Sequence, residues 1–180
     1  MKKAYVFLAT GFEETEAIGT IDVLRRGGVE VTTVSVTGAL GVTGDHGITV
    51  CADTLFTPGA CADADALILP GGGPGSRMLN EHAPLKELIV QHCKQNKLIA
   101  AICAAPLVLG GLGLLNGKNA TCYPGIEPEL IGATILDEPT VTDHNIITGR
   151  GPGLVFDFGF AILRYLENSL CDDVAKAMLL

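Results

Sequence analysis

Cys103 is the residue whose type and surroundings most strongly indicate covalent chemistry in this chain. It follows the apolar run Leu98–Ile102, which predicts a buried strand, and precedes a predicted helix over residues 104–115. A residue on so sharp a turn adopts a strained backbone that pushes its side chain outward, as in the nucleophile elbow of α/β-hydrolases. The helix N-terminus favours a thiolate, so we expect a lowered pKa. The alternative is an inert buried thiol.

A glycine-rich segment offers groups that would assist such a sulfur. Gly71, Gly72 and Gly73 follow the apolar run Ala66–Leu69, and their backbone N–H groups suit a developing oxyanion. The alternative is an ordinary loop. A phosphate-binding loop fits badly, because Ser76 stands where the dinucleotide fingerprint needs its last glycine.

Three glutamates open the first predicted helix, and one of them is expected to face inward. Glu13 and Glu14 are accounted for by the favourable position of acidic residues at a helix N-terminus. Glu16 immediately precedes the apolar face at Ala17 and Ile18, so we expect a buried, protonated carboxyl group. In that state it would donate a hydrogen bond to a thiolate.

The histidines give no comparable signal. They are His46, His82, His92 and His144. Nothing in the sequence places any of them beside Cys103. No spacing of His, Asp or Glu is typical of a metal site, so the sequence predicts neither a metal nor a cofactor.

Apolar runs alternate with helical patterns along the whole chain, which predicts a single α/β domain over residues 1–180. Strands are predicted at 5–9, 29–36, 66–69, 98–102 and 146–148, a hairpin at 41–50, and helices after Gly11, from Pro84, from Ala104 and around Val155–Leu166. This order favours a mostly parallel sheet with helices on both faces. Ligands gather at the carboxyl ends of such strands, so segments 10–16, 70–75 and 103–104 are expected to converge there.

Charge and cysteine usage limit the classes of partner. The chain has 12 basic and 20 acidic side chains, a formal charge of −8, which argues against nucleic acid or an anionic membrane surface as partner. No apolar run is long enough to span a bilayer and no secretory signal is seen, so a cytoplasmic protein is expected. The six cysteines contain no C-x-x-C pair, which excludes a typical zinc ribbon.

Four segments together resemble the DJ-1/ThiJ/PfpI superfamily, in the same order and at matching intervals. They are Gly11–Glu16, Leu69–Gly72, Ala100–Pro106 and Arg150–Gly153. The resemblance covers nearly the whole chain. It is closest to the DJ-1 branch, because Ala104 stands where the PfpI proteases have a histidine.

This resemblance implies a flavodoxin-like fold, a three-layer sandwich, and a homodimer. It implies that Cys103 is the nucleophile and Glu16 its protonated partner. It also implies that the backbone N–H groups of Gly72 and Ala104 lie near the reacting oxygen, with Gly71 in the same pocket.

One position departs from the DJ-1 pattern. Tyr123, followed by Pro124, stands where that branch has a histidine before a proline. Asp22 matches the acid that would orient the histidine. A tyrosine has a pKa near 10 and is a poor base at neutral pH.

Three functions therefore remain open from the sequence. The first is an enzyme of α-oxoaldehydes or their adducts, of the glyoxalase or deglycase type, in which Cys103 adds to a small carbonyl substrate and Glu16 moves protons. The second is a redox-sensing stress protein whose Cys103 is oxidised by an oxidant without turnover. The third is a cysteine peptidase or amidase, which the missing histidine argues against.

Overall fold

The computed structural model describes residues 1–180, the side chain of Asn168 excepted. The strands are β1 Lys3–Leu8, β2 Glu30–Ser35, β3 Gly41–Thr43, β4 Thr49–Cys51, β5 Thr54–Leu55, β6 Ala66–Leu69, β7 Leu98–Ile102, β8 Asn119–Ala120, β9 Thr134–Ile135, β10 Thr140–Asp143 and β11 Ile146–Gly149. The helices are α1 Glu14–Arg26, α2 Gly73–Glu81, α3 Ala83–Lys94, α4 Pro106–Gly111, α5 Val155–Leu166 and α6 Cys171–Ala177. Within these described residues, no helix combines the length and apolar character needed to cross a membrane.

Seven strands form one sheet, in the order β10-β11-β7-β6-β1-β2-β5. All neighbouring pairs are parallel except β10 with β11. The chain moves one way along the sheet from β1 to β2 and the opposite way from β6 to β7. Because such crossovers are right-handed, α1 and the α2–α3 pair cover opposite faces. Helix α5 packs on α1 and α4 packs on α2, which completes a flavodoxin-like three-layer sandwich.

The apolar runs of the sequence form the centre of this sheet. Every residue of β6 and β7 is buried, as expected of parallel strands that are covered on both faces. The predicted hairpin at 41–50 is confirmed, since β3 and β4 pair antiparallel and place Val42 opposite Val50. The helix predicted around Val155–Leu166 is confirmed as α5.

Two boundaries near the glycines differ from the prediction. The predicted loop over 70–75 ends early, because α2 already begins at Gly73 with Pro74 in its first turn. The helix predicted over 104–115 is confined to α4, which ends at Gly111, and Gly113 then adopts a φ of 71° that ends any helix. Helix α6 was not predicted from the sequence.

The direction of the chain reverses between β1 and β6, and β7 is the next strand. This reversal is the switch point of the sheet, where open α/β folds bind their ligands. The segments that follow these three strands contain Glu13, Gly71 and Cys103. The predicted convergence of the three segments is therefore confirmed by the strand order.

Candidate active site at Cys103

Cys103 occupies the turn between β7 and α4 in a left-handed conformation, with φ 64°. A non-glycine residue in that region costs about 1–3 kcal/mol and persists only where its surroundings fix it. Here the Cys103 N–H donates to the Gly149 carbonyl oxygen at 2.9 Å, and its own carbonyl accepts from the Tyr123 N–H at 2.9 Å. The residue is 8% exposed, so a narrow opening to solvent remains. The predicted strand-to-helix turn is confirmed.

Gly71 and Gly72 pack directly against this turn. The Gly71 N–H donates to Glu16 Oε2 at 2.8 Å. A Cβ on Gly71 would lie 2.5 Å from that oxygen and 2.6 Å from Cys103 Cβ, so only glycine allows both groups to meet there. Gly72 has φ 87°, and a Cβ on it would collide with the Gly11 carbonyl and the Glu13 nitrogen. The loop therefore packs closely against Cys103 and Glu16 on one side and against the segment that leads into α1 on the other.

Glu16 reaches the site from the first turn of α1 and is completely buried. The carboxylate of Glu13 caps the helix by accepting the Glu16 N–H at 2.6 Å, which fixes the start of α1. The Oε1 atom of Glu16 has no hydrogen-bond partner in the part of the chain described. Burial raises the pKa of Glu16 to about 7, although the neighbouring Cys103 thiol and the Gly71 N–H lower it.

The thiol of Cys103 is harder to ionise than the sequence suggested. Burial and the negative charge of Glu16 raise its pKa to about 12, against the N–H groups of Gly72 and Ala104, which lower it. The expected lowering by a helix N-terminus is wrong here, because α4 has six residues and begins at Pro106, beyond the cysteine. The backbone N–H groups of Gly72 and Ala104 therefore face the sulfur, and their expected role toward the reacting oxygen stays a prediction.

These two shifts belong to a coupled pair. When Glu16 holds the proton, the charge that opposes a Cys103 thiolate disappears. The pair therefore releases its first proton near neutral pH, and Glu16 is the group that can receive the thiol proton as the sulfur reacts. The second proton leaves only at high pH.

Tyr123 joins the site through its backbone rather than through a charged side chain. Its N–H donates to the Cys103 carbonyl oxygen, and its side chain is 49% exposed. The ring lies beside Gly151, where a Cβ would come within 3.3 Å of it. Asp22 pairs with Arg26 at 2.8 Å on the exposed face of α1. Tyr123 therefore borders the Cys103 turn without supplying a base.

The histidines have structural partners of their own. His82 caps α3 by accepting the Leu85 N–H at 3.1 Å. His92 is buried, and burial lowers its pKa to about 4. His144 is exposed and lies 2.6 Å from Asp143. No contact between these three and Cys103 is found in the described residues.

His46 has a partner that the sequence analysis missed. Its ring Nδ1 lies 2.9 Å from Glu14 Oε2, and its N–H donates to Glu14 Oε1 at 2.8 Å. Glu14 was assigned to the helix dipole alone. A signal existed in the Gly-Asp-His-Gly turn, but spacing could not show which residue the turn contacts.

One cluster brings together three groups of the type that bind metals. Ligand atoms of Glu13, Glu14 and His46 all lie within 4.8 Å of one another. Glu13 caps α1, however, and Glu14 and His46 bind each other. A metal would have to displace these contacts, so the cluster is satisfied by the protein itself.

Two clefts of the surface lie away from Cys103. One of about 320 Å³ runs between α3 and the segment 56–62, and one of about 520 Å³ is lined by Phe156, Phe160 and Leu180. Neither includes Cys103 or Glu16. Cys103 itself is only 8% exposed, which favours a small molecule over a folded chain as its reaction partner.

The fold and this geometry define a class, namely α/β proteins with a cysteine elbow at the switch point of a parallel sheet. The sequence matches the model of the DJ-1/PfpI family over residues 2–165. The chain belongs to this family, in its DJ-1 branch.

Individual relatives support the same assignment. Protein dj-1beta of Drosophila melanogaster is 38% identical over 181 residues, covering 99% of this chain and 97% of that protein. Its crystal structure superposes with a TM-score of 0.95 at 37% identity, covering 99% and 98% of the two chains. Protein DJ-1 homolog B of Arabidopsis thaliana is 41% identical over 92% of this chain, which spans only 38% of that relative. A protein of Pyrococcus abyssi named as a deglycase is 35% identical, covering 84% of this chain and 91% of its own.

Proposed function

We propose that this protein is a cysteine-dependent enzyme that acts on α-oxoaldehydes or their adducts, a glyoxalase or deglycase. The observation that carries the proposal is the buried carboxyl group of Glu16 beside Cys103, with one oxygen free of protein partners. Its pKa of about 7 suits a group that both accepts and donates protons at neutral pH. The Pyrococcus abyssi relative is named for deglycase activity.

The first step is addition of the sulfur to the aldehyde carbon. Glu16 takes the thiol proton as the S–C bond forms and then returns it to the carbonyl oxygen, which gives a hemithioacetal. The N–H groups of Gly72 and Ala104, which already lower the pKa of Cys103, stabilise the negative oxygen during this addition.

The second step moves hydrogen between neighbouring carbons. Glu16 removes the proton from the former aldehyde carbon and delivers it to the adjacent carbon, which converts the hemithioacetal to a thioester. Water then cleaves the thioester, releasing a hydroxy acid and restoring the thiol. In a hemiaminal adduct of the aldehyde with an amine, the sulfur displaces the nitrogen in the first step: the S–C bond forms as the C–N bond breaks, and the amine leaves with the thiol proton that Glu16 passes to it, which gives the same hemithioacetal.

The test is production of lactate from methylglyoxal by the purified protein. We expect lactate from the wild type, and a loss of at least about 100-fold in Cys103→Ser and Glu16→Gln, the size typical of lost acid–base catalysis. Cys51→Ser is the matched control, because Cys51 is an exposed thiol on β4. Lactate formation that survives Cys103→Ser, or its absence from the wild type, would refute the proposal.

A second function is favoured by Tyr123, which borders the site in place of a base. We propose as the alternative that Cys103 is oxidised to sulfinic acid as a redox sensor. Mild peroxide should then add two oxygens to the intact mass, mapped to Cys103 alone. Equal oxidation of the other five cysteines would contradict it. The peptidase or amidase alternative lacks a histidine to protonate the leaving amine.

A homodimer is also proposed as the assembled state. Ile18 on α1 and Ile48 on the neighbouring hairpin are 46% and 58% exposed, and apolar side chains so placed favour a protein partner. Sedimentation should give twice the chain mass. A monomer at micromolar concentration would contradict this proposal.

A further inference from the structure

The turn between β3 and β4 is bound to the helix that carries Glu16. The Glu14 carboxylate accepts the His46 N–H at 2.8 Å and the Ile48 N–H at 3.3 Å, and contacts the His46 ring nitrogen Nδ1 at 2.9 Å. The side chain of Glu14 is 8% exposed and that of His46 is 68% exposed. One buried carboxylate therefore holds an exposed imidazole in place.

Backbone contacts fix the same turn to the segment that precedes α1. The Asp45 N–H donates to the Phe12 carbonyl at 2.9 Å, and the Gly11 N–H donates to the Thr43 carbonyl at 2.8 Å. A Cβ on Gly44 would collide with the Glu14 carboxyl group. The imidazole of His46 is thus held at a fixed place relative to the site.

Neighbouring ionisable groups connect His46 to the reacting pair. Ligand atoms of His46, Glu13 and Glu14 lie within 4.8 Å of one another, and Glu13 accepts the Glu16 N–H at 2.6 Å. Glu14 most of all, then Glu13 and Asp45, raise the pKa of His46, which favours the cationic form of the ring. Glu13 also acts on Glu16, whose pKa it raises. Glu16 in turn opposes ionisation of Cys103. Glu13 therefore lies between His46 and the first turn of α1, which carries Glu16.

We propose that His46 is a positioning residue of the Cys103 site: held by Glu14, its imidazolium offsets the carboxylates of Glu13 and Glu14 and so limits the negative field at Glu16 and Cys103. This inference rests on Cys103 and Glu16 being the reacting pair of the proposed function.

The test is the rate of Cys103 alkylation by iodoacetamide against pH, with the labelled cysteine identified by peptide mass spectrometry. His46→Gln keeps a donor for Glu14 but removes the charge, so the midpoint should rise by about half a pH unit, the size expected of an exposed charge acting through water. Glu14→Gln removes one negative charge and should not raise the midpoint. The double variant should return it to the wild-type value.

Two features separate this effect from mere loosening of the turn. Loosening would move His46→Gln and Glu14→Gln in the same direction, which would overturn the inference. The shift should also shrink at high salt, because the imidazole is exposed. The Asp143–His144 pair is the matched control, so Asp143→Asn and His144→Gln should leave the midpoint unchanged.

The outcomes also distinguish this inference from the function on which it rests. An unshifted midpoint in His46→Gln, with Cys103 still labelled, would overturn the role of His46 alone. No labelling of Cys103 in the wild type would overturn the proposed function and this inference together. Thermal unfolding of each variant checks that the fold is intact.

Discussion

Glu14 and Glu16 lie two residues apart in the first turn of the same helix, and their acidities diverge. Both are buried, with 6% and 0% exposure. Burial raises the pKa of each, yet hydrogen bonds from His46 and its turn lower that of Glu14 to about 2. Glu16 receives one N–H bond, and its pKa rises to about 7.

The difference shows that hydrogen-bond donors, rather than burial, decide which carboxylate has a structural role and which can exchange protons at neutral pH. Glu14 meets two backbone N–H groups and the imidazole of His46, and these contacts stabilise its charged form. Glu16 keeps one oxygen without a partner in the described chain, beside the only cysteine on the elbow. An unpartnered buried oxygen lowers stability, which is expected at a functional site.

The largest effect is expected from Glu16→Gln on stability at high pH. The folded-state pKa of Glu16 lies above its ordinary value of 4.5, so its stabilising contribution is present below pH 4.5 and is lost as pH rises through about 7. The variant should therefore be more stable than wild type at pH 8, by up to about 3 kcal/mol at 1.36 kcal/mol per pKa unit. Urea unfolding at pH 5 and pH 8 measures this. Equal stability of wild type and Glu16→Gln at pH 8 would show that the pKa of Glu16 is not raised, and would contradict the contrast with Glu14.

A somewhat smaller effect of opposite sign is expected from Glu14→Ala. The variant leaves the N–H groups of His46 and Ile48 without their acceptor, so it should lose about 1–3 kcal/mol at pH 7. Because the pKa of Glu14 is depressed, this contribution is present above pH 4.5 and is lost as pH falls through about 2. Denaturant unfolding between pH 2 and pH 7 follows it. Glu129→Ala, which breaks an exposed pair with Arg77, is the control and should cost well under 1 kcal/mol.

The smallest effect is expected on the pKa of Glu16 when its neighbour Cys103 is replaced. The Cys103 thiol lowers the pKa of Glu16, so Cys103→Ala should move the Glu16 titration to higher pH. The shift is read from the midpoint of the stability-against-pH curve. The Cys122→Ala variant removes another buried thiol and should leave the midpoint in place. A downward movement in Cys103→Ala would contradict the coupling.

Much of the fold was predictable because a short run of apolar residues directly indicates a buried strand. The run Ala66–Leu69 and the run Leu98–Ile102 became β6 and β7 with unchanged bounds. The convergence of Cys103, Gly72 and Glu16 followed from the rule that parallel strands end at one edge. These features depend on local pattern and topology, which a sequence carries directly.

The acidities were not predictable, because they depend on contacts between distant segments. Glu14 and Glu16 look alike in sequence, and only the return of the β3–β4 turn to α1 tells them apart. The pKa of Cys103 was predicted in the wrong direction, because the length of α4 and the depth of burial were unknown. Helix α6 was missed for a similar reason, since it is short and most of its residues face solvent.

The central claim is that Glu16 sets the reactivity of Cys103, and its most direct test is the alkylation rate of Cys103 against pH. In the wild-type protein the midpoint should lie well above the ordinary thiol value of about 8.5, because burial and the charge of Glu16 both oppose the thiolate. In Glu16→Gln the midpoint should fall toward that value, because the opposing charge is gone while burial remains. A single midpoint near 8.5 in both proteins would show that the two groups titrate independently and would contradict the account.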